Sequence, residues 1–452
     1  MSVKNANIHM SRTGFYDETG PWYVLDNAGI IMPAVSNSVA TSLFRISADL
    51  DRPVKLSALQ GALDHCARRF PYFVVELRRG FFWYYLEPHG RRLRVEADSR
   101  SPSQNYNINK KGRCLFRVRA RGNRIACEFS HALTDGTGGI RFFKNLLVEY
   151  FSIGAASQGE RPTAAQGEPE PCDSDLYRMD AVADHREYED AYNKYFTQEY
   201  PKPAKLPRAF HIHSPQLPHF EYRITCGILP LDQAMDMARS LGATVTEFLA
   251  AVFLDALQDL WLALPPAQRR KRPRLAVEIP VNMRKFYPTK TNRNFSLFVL
   301  VTQDMRLGRR DFAEIVSRAH LQMRFETDVR TIAQQISRNV SGARKLAVRL
   351  VPLVVKDFFA KLLFSALGED LVSGFVSNLG AVSLPEGVAE HVERLDFLPA
   401  PSPYNKTSAS VVSWGGRLYI NFGSLAQSRE LERLFFTRLR ALGLPVKIEC
   451  NW

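Results

Sequence analysis

The sequence reads as an α+β protein whose two halves share one pattern. Three observations point there. The chain has 452 residues, which at about 150 residues per domain means two large units or three smaller ones. Strand and helix patterns alternate along both halves, with a strand, a helix and strand hairpins in each. The composition is 45% hydrophobic and 23% charged, which excludes a largely disordered, collagen-like or coiled-coil chain. A core of this size needs no disulfide or metal to hold it.

Residues Thr41–Leu50 read as a strand. Leu56, Leu59, Leu63 and Cys66 then recur at helical spacing. Phe73–Leu77 and Phe81–Leu86 flank Arg78-Arg79-Gly80, and Cys114–Ala120 and Ile125–Phe129 flank Arg121-Gly122-Asn123-Arg124, so two hairpins follow. After a loop at His131–Gly139, Ile140–Phe151 carries Ile140, Phe143, Leu147 and Phe151 along one side of a helix. Residues 152–175 hold Gly, Ala, Ser, Pro and Glu with almost no large apolar side chain, the composition of a flexible crossover. The first unit is thus expected over 1–175 and the second over 176–452.

The second half opens with prolines between Pro201 and Pro218, an extended stretch. Tyr222–Leu229 reads as a strand, Leu231–Ser240 and Val245–Leu264 as helices. Thr244 and Glu247 form a capping box for the second helix, and Pro265-Pro266 ends it. Ala276–Pro280 and Phe295–Thr302 look like buried strands and Arg310–Arg330 like an amphipathic helix. Ser408–Ser413 and Leu418–Phe422 flank a turn at Trp414-Gly415-Gly416-Arg417, and a helix over Ser428–Leu442 follows. No short-period repeat is present, which excludes a solenoid.

The net charge is +14, a field that favours anionic partners: phosphorylated cofactors, acidic proteins, nucleic acid or anionic lipid. The six cysteines are scattered and form no C-x-x-C, so a disulfide framework or a structural zinc site is not expected and a reducing, cytoplasmic setting fits. The first thirty residues have no secretory pattern. No run of apolar residues is long enough to span a bilayer; the nearest, Leu346–Leu367, is broken by Arg349, Pro352, Lys356, Asp357 and Lys361.

Chemistry concentrates in Ser130-His131-Ala132-Leu133-Thr134-Asp135-Gly136-Thr137-Gly138-Gly139. A histidine leaves a buried strand and enters a glycine-rich loop ahead of a helix. At such an element edge an imidazole titrating near neutrality can take a proton from a hydroxyl or amine. The loop fits neither a P-loop nor a Rossmann fingerprint.

His131-x-x-x-Asp135-Gly136 resembles the H-x-x-x-D-G signature of the chloramphenicol-acetyltransferase-like, CoA-dependent acyltransferase superfamily. That superfamily includes peptide-synthetase condensation domains, plant BAHD acyltransferases, wax-ester synthases and alcohol acetyltransferases. Pro280-Val281-Asn282-Met283-Arg284 resembles its P-V-x-x-R segment, Asn292-Arg293-Asn294-Phe295 its G-N segment with Arg293 in place of glycine, and Ser377-Asn378-Leu379-Gly380 its S-N-x-G turn. The likeness spans most of the chain and is strongest to stand-alone alcohol acetyltransferases.

The resemblance implies two similar lobes, each a mixed sheet flanked by helices, meeting at a tunnel with His131 at its midpoint. It implies that His131 acts as general base, that the acceptor attacks the thioester directly, and that Asp135 is structural and pairs with Arg284. Gly136 belongs to the same structural set. Ser377, Asn378 and Asn294 are the candidates for substrate or oxyanion contacts, along with backbone N–H groups near Gly136. Acyl-CoA would be a co-substrate and no cofactor would be permanently bound. Two departures stand out. Ser130 occupies the place where condensation domains carry another histidine, which weighs against peptide-bond condensation. The BAHD D-F-G-W-G motif is missing, and Ser413-Trp414-Gly415-Gly416 reads better as a hairpin turn.

Four other features have plainer readings. The basic run Arg269-Arg270-Lys271-Arg272-Pro273-Arg274 could grip CoA phosphates but reads first as a solvated loop. It lacks the aromatic interleaving of a nucleic-acid surface. His211, His213 and His219 read as an ordinary extended connection rather than a metal site. The amphipathic Leu346–Leu367 could dock on a membrane or line a greasy channel, but reads as core. The aromatic run Phe81–Tyr85 reads as a packed strand.

The sequence therefore points to an acyltransferase that moves an acyl group from CoA to a hydroxyl or amine acceptor, with a small molecule as acceptor and no metal. Two other readings remain open: a condensation-type enzyme fed by an acidic carrier protein's phosphopantetheine thioester, and a catalytically silent binding protein of the same fold.

Overall fold

The computed structural model describes residues 16–17, 20–156, 179–201, 206–367 and 369–451. Leu43–Leu50 and Arg124–Ser130 are apolar at most positions and buried along nearly their whole length. Such strands belong in the middle of a sheet covered on both faces. They are the second and third of five, in the order Val392–Leu398, Leu43–Leu50, Arg124–Ser130, Phe116–Arg121, Glu96–Ala97. All neighbours are antiparallel except the last pair. The 116–130 hairpin closes on Gly122-Asn123, with Gly122 at φ 60°, a conformation that suits glycine in a two-residue turn. Helices Leu56–Arg69 and Gly136–Ala156 bury Leu59, Leu63, Phe143 and Leu147 against this sheet in one core.

The second sheet has seven strands: Ser296–Asp304, Arg274–Asn282, Gly374–Ala381, Thr407–Trp414, Arg417–Ser424, Arg223–Pro230 and Lys447–Cys450. It is mixed, because Gly374–Ala381 runs parallel to both neighbours. Helix Val245–Leu262 fills the core beneath it and is buried on nearly every side. Its start carries the expected capping box: Glu247 N donates to Thr244 Oγ1 and Thr244 N donates to Glu247 Oε2. The molecule is thus α+β with two lobes, each a sheet flanked by helices.

The structure differs from the sequence expectations in five places. The helix after the histidine loop runs on to Ala156, so 152–156 is not loop; the apolar stripe continues to Ile153, which packs against the first core beside Gly61. The rest of the expected crossover, 157–175, lies outside the described residues. The lobes do not divide cleanly at 175/176. Val392–Leu398 comes from the second half yet pairs with Leu43–Leu50 of the first sheet. Val392, Leu395 and Phe397 share the first core with Val412, Trp414 and Tyr419 of the second sheet, and Asn421 Nδ2 donates to Asp396 Oδ1 across the junction at 3.1 Å. Ser377-Asn378-Leu379-Gly380 is not a free turn. It ends the strand Gly374–Ala381, where the register shifts after Asn378 and Gly380 adopts φ 86°.

The segment Leu346–Leu367 is not the single core stripe expected: it forms two helices, Leu346–Arg349 and Leu353–Leu367, with Leu353 buried but Leu350 between them and Val354, Phe358 and Phe359 exposed. Nor is Phe81–Tyr85 a packed strand. The strand begins at Tyr84, and Phe81 and Phe82 are exposed in the turn before it.

Candidate active site

His131 follows directly on the central strand Arg124–Ser130. Its N–H donates to the Ser42 carbonyl at 3.1 Å, so the edge of the neighbouring strand fixes where the loop leaves the sheet. The ring lies on Phe44, with centroids 4.8 Å apart. The preceding Ser130 is fully buried and accepts the Ala132 N–H at 3.1 Å, so it shapes the loop from inside. His131 itself is only partly covered. Its surroundings are nonetheless protein on most sides, and burial pulls the imidazole below its ordinary value. The Asp135 charge and hydrogen bonds with Asn294 and the Thr134 backbone act the other way without cancelling the shift. The imidazole is therefore neutral at pH 7, the form a base needs.

Asp135 caps the helix Gly136–Ala156: its Oδ1 accepts the Gly138 N–H at 3.0 Å and its carbonyl accepts from Gly139 N at 2.9 Å. Its Oδ2 accepts from Arg284 Nη1 at 2.9 Å and from Phe295 N at 2.8 Å. Burial alone would raise this carboxyl, but the Arg284 charge and these hydrogen bonds outweigh it and hold it below the usual range. Arg284 sits just past the strand Arg274–Asn282 and also donates from Nε to the Thr291 carbonyl at 3.0 Å. The two side chains are 6% and 7% exposed, so this is a buried ion pair joining the two halves of the chain.

The segment Asn292-Arg293-Asn294 packs against the histidine loop. Asn294 Nδ2 donates to the His131 carbonyl at 2.9 Å and to Asp26 Oδ2 at 2.8 Å. Both amide hydrogens are thus taken up, and Asn294 is placed to hold the loop rather than to donate to an oxyanion. Arg293, standing where the resembled family has glycine, is fully buried and donates from Nη1 to the Leu133 carbonyl at 3.3 Å. The glycine that the packing demands is Gly138: a Cβ there would lie 2.2 Å from the Asn292 carbonyl oxygen and 2.2 Å from Thr134 Oγ1. Gly136 is less constrained, its nearest would-be contact being Leu379 Cδ1 at 3.3 Å.

Ser377 and Asn378 point to opposite faces of their strand. Asn378 Nδ2 donates to Thr246 Oγ1 at 3.0 Å and its Oδ1 accepts from Gly380 N at 2.9 Å, so it braces the bulge against the helix Val245–Leu262. Ser377 shares the other face with Leu379, which packs toward Gly136. The two candidates thus separate, and only Ser377 lies on the side of the histidine loop.

Sequence reasoning missed Asp26. It is buried, accepts from Gly29 N at 2.7 Å and from Asn294, and burial with nearby Asp190 pushes its carboxyl up to about 7. A lone aspartate in an irregular segment gave no periodic signal. In the basic run, Arg272 and Arg274 donate to the Ala209 and Pro207 carbonyls, while Arg270 and Lys271 are exposed. Among the described residues no three His, Cys, Asp or Glu come together as a metal site, and no single helix is long and apolar enough to cross a membrane.

No family model and no curated protein matches the chain. Solved structures do. TRI3 trichothecene 15-O-acetyltransferase from Fusarium sporotrichioides superposes with a TM-score of 0.59 at 12% identity, over 98% of this chain and 99% of its own. TRI101 of F. sporotrichioides, solved with coenzyme A and T-2, gives 0.57 at 13% identity, covering 95% of this chain and 100% of its own. The starter condensation domain of rhizomide synthetase RzmA, in a structure with C8-CoA, gives 0.55 at 12% identity, over 93% and 94%. The chain therefore has the two-lobed fold shared by CoA-dependent acyltransferases and condensation domains.

Proposed function

We propose that this protein is an acyltransferase that moves an acyl group from a CoA thioester to a hydroxyl or amine of a small acceptor, with His131 as general base. The observation that carries the reading is the placement of that ring: at the end of a central strand, against Phe44, still partly open, and on a loop that Asn294 holds from the other half of the chain, where burial pulls the imidazole below its ordinary value. The imidazole nitrogen takes the acceptor proton as the acceptor's oxygen or nitrogen bonds to the thioester carbonyl carbon. The tetrahedral oxyanion then collapses, the C–S bond breaks, and the imidazolium returns the proton to the departing CoA thiolate. No acyl-enzyme is needed.

Asp135 and Arg284 are positioning residues. Each satisfies the other in a buried setting, and removing one partner of such a pair typically costs about 3–5 kcal/mol. Asn294 holds the His131 carbonyl, and the Ser377 hydroxyl, on the face toward Gly136, is the side chain best placed to donate to the oxyanion. The likeness to TRI101, solved with coenzyme A, to the TRI3 O-acetyltransferase and to a condensation domain solved with C8-CoA supports the donor; the likeness to a nonribosomal peptide synthetase supports a carrier-bound thioester as the second reading. The excess positive charge suits either donor.

The test is a mass-spectrometric screen of acetyl-CoA and longer acyl-CoAs, and of an acylated carrier protein, against a mixed acceptor library. Acylated product from the CoA donors supports the proposal. Product from the carrier alone replaces it with the condensation-type reading, and no product from any donor favours the silent binding protein.

A further inference from the structure

The turn Phe81–Trp83 and the helix Leu353–Leu367 are far apart in sequence but form one surface. Leu353 N donates to the Phe81 carbonyl at 2.8 Å, and Lys356 Nζ donates to the Phe82 carbonyl at 2.9 Å while sitting 3.5 Å from the Trp83 ring centre. Arg79 and Tyr84 both donate to Asp357, at 2.9 and 2.8 Å. These bonds fix the relative placement of turn and helix. Yet the side chains they display are apolar: Phe81 is 72% exposed, Leu350 62%, Val354 69%, Phe358 63% and Phe359 54%. Scattered exposed apolar residues need no explanation, but a contiguous group of this size marks an interaction surface.

The charge along residues 345–360 is one-sided. Lys345 and Arg349 are exposed beside the apolar group, and Lys356 lies within it. The only acid between 345 and 360 is Asp357, already engaged by Arg79 and Tyr84. Aromatic and aliphatic side chains flanked by exposed cations are what the boundary between headgroups and acyl chains of an anionic bilayer accommodates. A second copy of the chain would bring two such cationic segments together, each on a molecule of net charge +14, which opposes pairing through this face. We propose that this surface docks the protein on anionic lipid, with the turn and helix lying on the bilayer rather than crossing it.

The test is co-sedimentation of the full chain with vesicles of phosphatidylcholine, alone or mixed with phosphatidylserine. The wild type should partition to the mixed vesicles and much less to phosphatidylcholine alone. Val354→Glu with Phe358→Glu should lower partitioning by roughly tenfold or more, and Lys345→Glu with Arg349→Glu should also lower it, while both variants keep the wild-type circular-dichroism spectrum and acyl-transfer rate. Failure of the wild type to bind mixed vesicles overturns the proposal. So does loss of binding in the charge variant but not in the apolar one, which would mean adsorption of a basic protein without docking. A concentration-dependent dimer that the apolar variant dissolves, without vesicle binding, assigns the face to self-association and overturns it too.

Discussion

The histidine loop and the Phe81–Phe359 surface make opposite use of similar material. Both join segments far apart in sequence through hydrogen bonds to backbone carbonyls. Around His131, Asp135 with Arg284 and Asn294 with the His131 carbonyl tie the two halves together, and the packing leaves no room for a Cβ at Gly138. At the other surface the backbone contacts are as well made, but the large apolar side chains face outward. Close packing on all sides makes a site that tolerates little change. An element fixed only from beneath leaves its outer face free to change without harm to the fold.

The sharpest break of that contrast is at the ion pair. Asp135→Ala leaves Arg284 buried and unpaired and also removes a helix cap, so denaturant unfolding should show a loss of about 3–5 kcal/mol. A loss under 1 kcal/mol would mean that the pair is solvated. Gly138→Ala comes next. It must push back the Asn292 carbonyl, and overpacking of this kind costs about 1–3 kcal/mol, with acyl transfer falling alongside. Gly154→Ala, with nothing within 4 Å of the added Cβ, should leave stability unchanged or slightly raised. Phe358→Ser on the outward face should change stability by no more than about 0.5 kcal/mol.

A pH profile sharpens the same comparison from the chemical side. Because burial lowers the His131 value, kcat/KM should be flat downward from pH 8 and fall only below about 6.5, the ordinary histidine value. The sign follows from the base being active when unprotonated: a depressed value extends activity toward acid. Asp26, titrating at about 7 behind Asn294, is the group that could mimic this limb. Asp26→Asn should leave the limb in place; its disappearance would assign the titration to Asp26.

Much of the fold was legible because its signals are local. The capping box at Thr244 and Glu247 set the start of its helix correctly, and proline ended it within two residues. Gly415-Gly416, both at positive φ, made the turn that the flanking apolar runs required. Pairing between distant segments was not legible. Val392–Leu398 carries Glu393, Arg394 and Asp396 among its apolar residues, and only its place between two sheets makes it a strand. Leu346–Leu367 misled for the converse reason: apolar spacing tells which residues share a helix face but not what that face meets. At the site, the loop pattern brought out His131 and Asp135, and the resemblance to the superfamily's motifs brought out the segments around Arg284 and Asn294. It could not show that the Asn294 amide is occupied, because Asp26 lies 268 residues away.

The central claim is that one neutral imidazole removes the acceptor's proton. The direct measurement is steady-state acyl transfer by His131→Ala beside the wild type, with denaturant unfolding of both. The account predicts unfolding midpoints that agree closely and a kcat lower by about 10²–10⁴. A variant that folds as well and turns over within a few-fold of the wild type would contradict it.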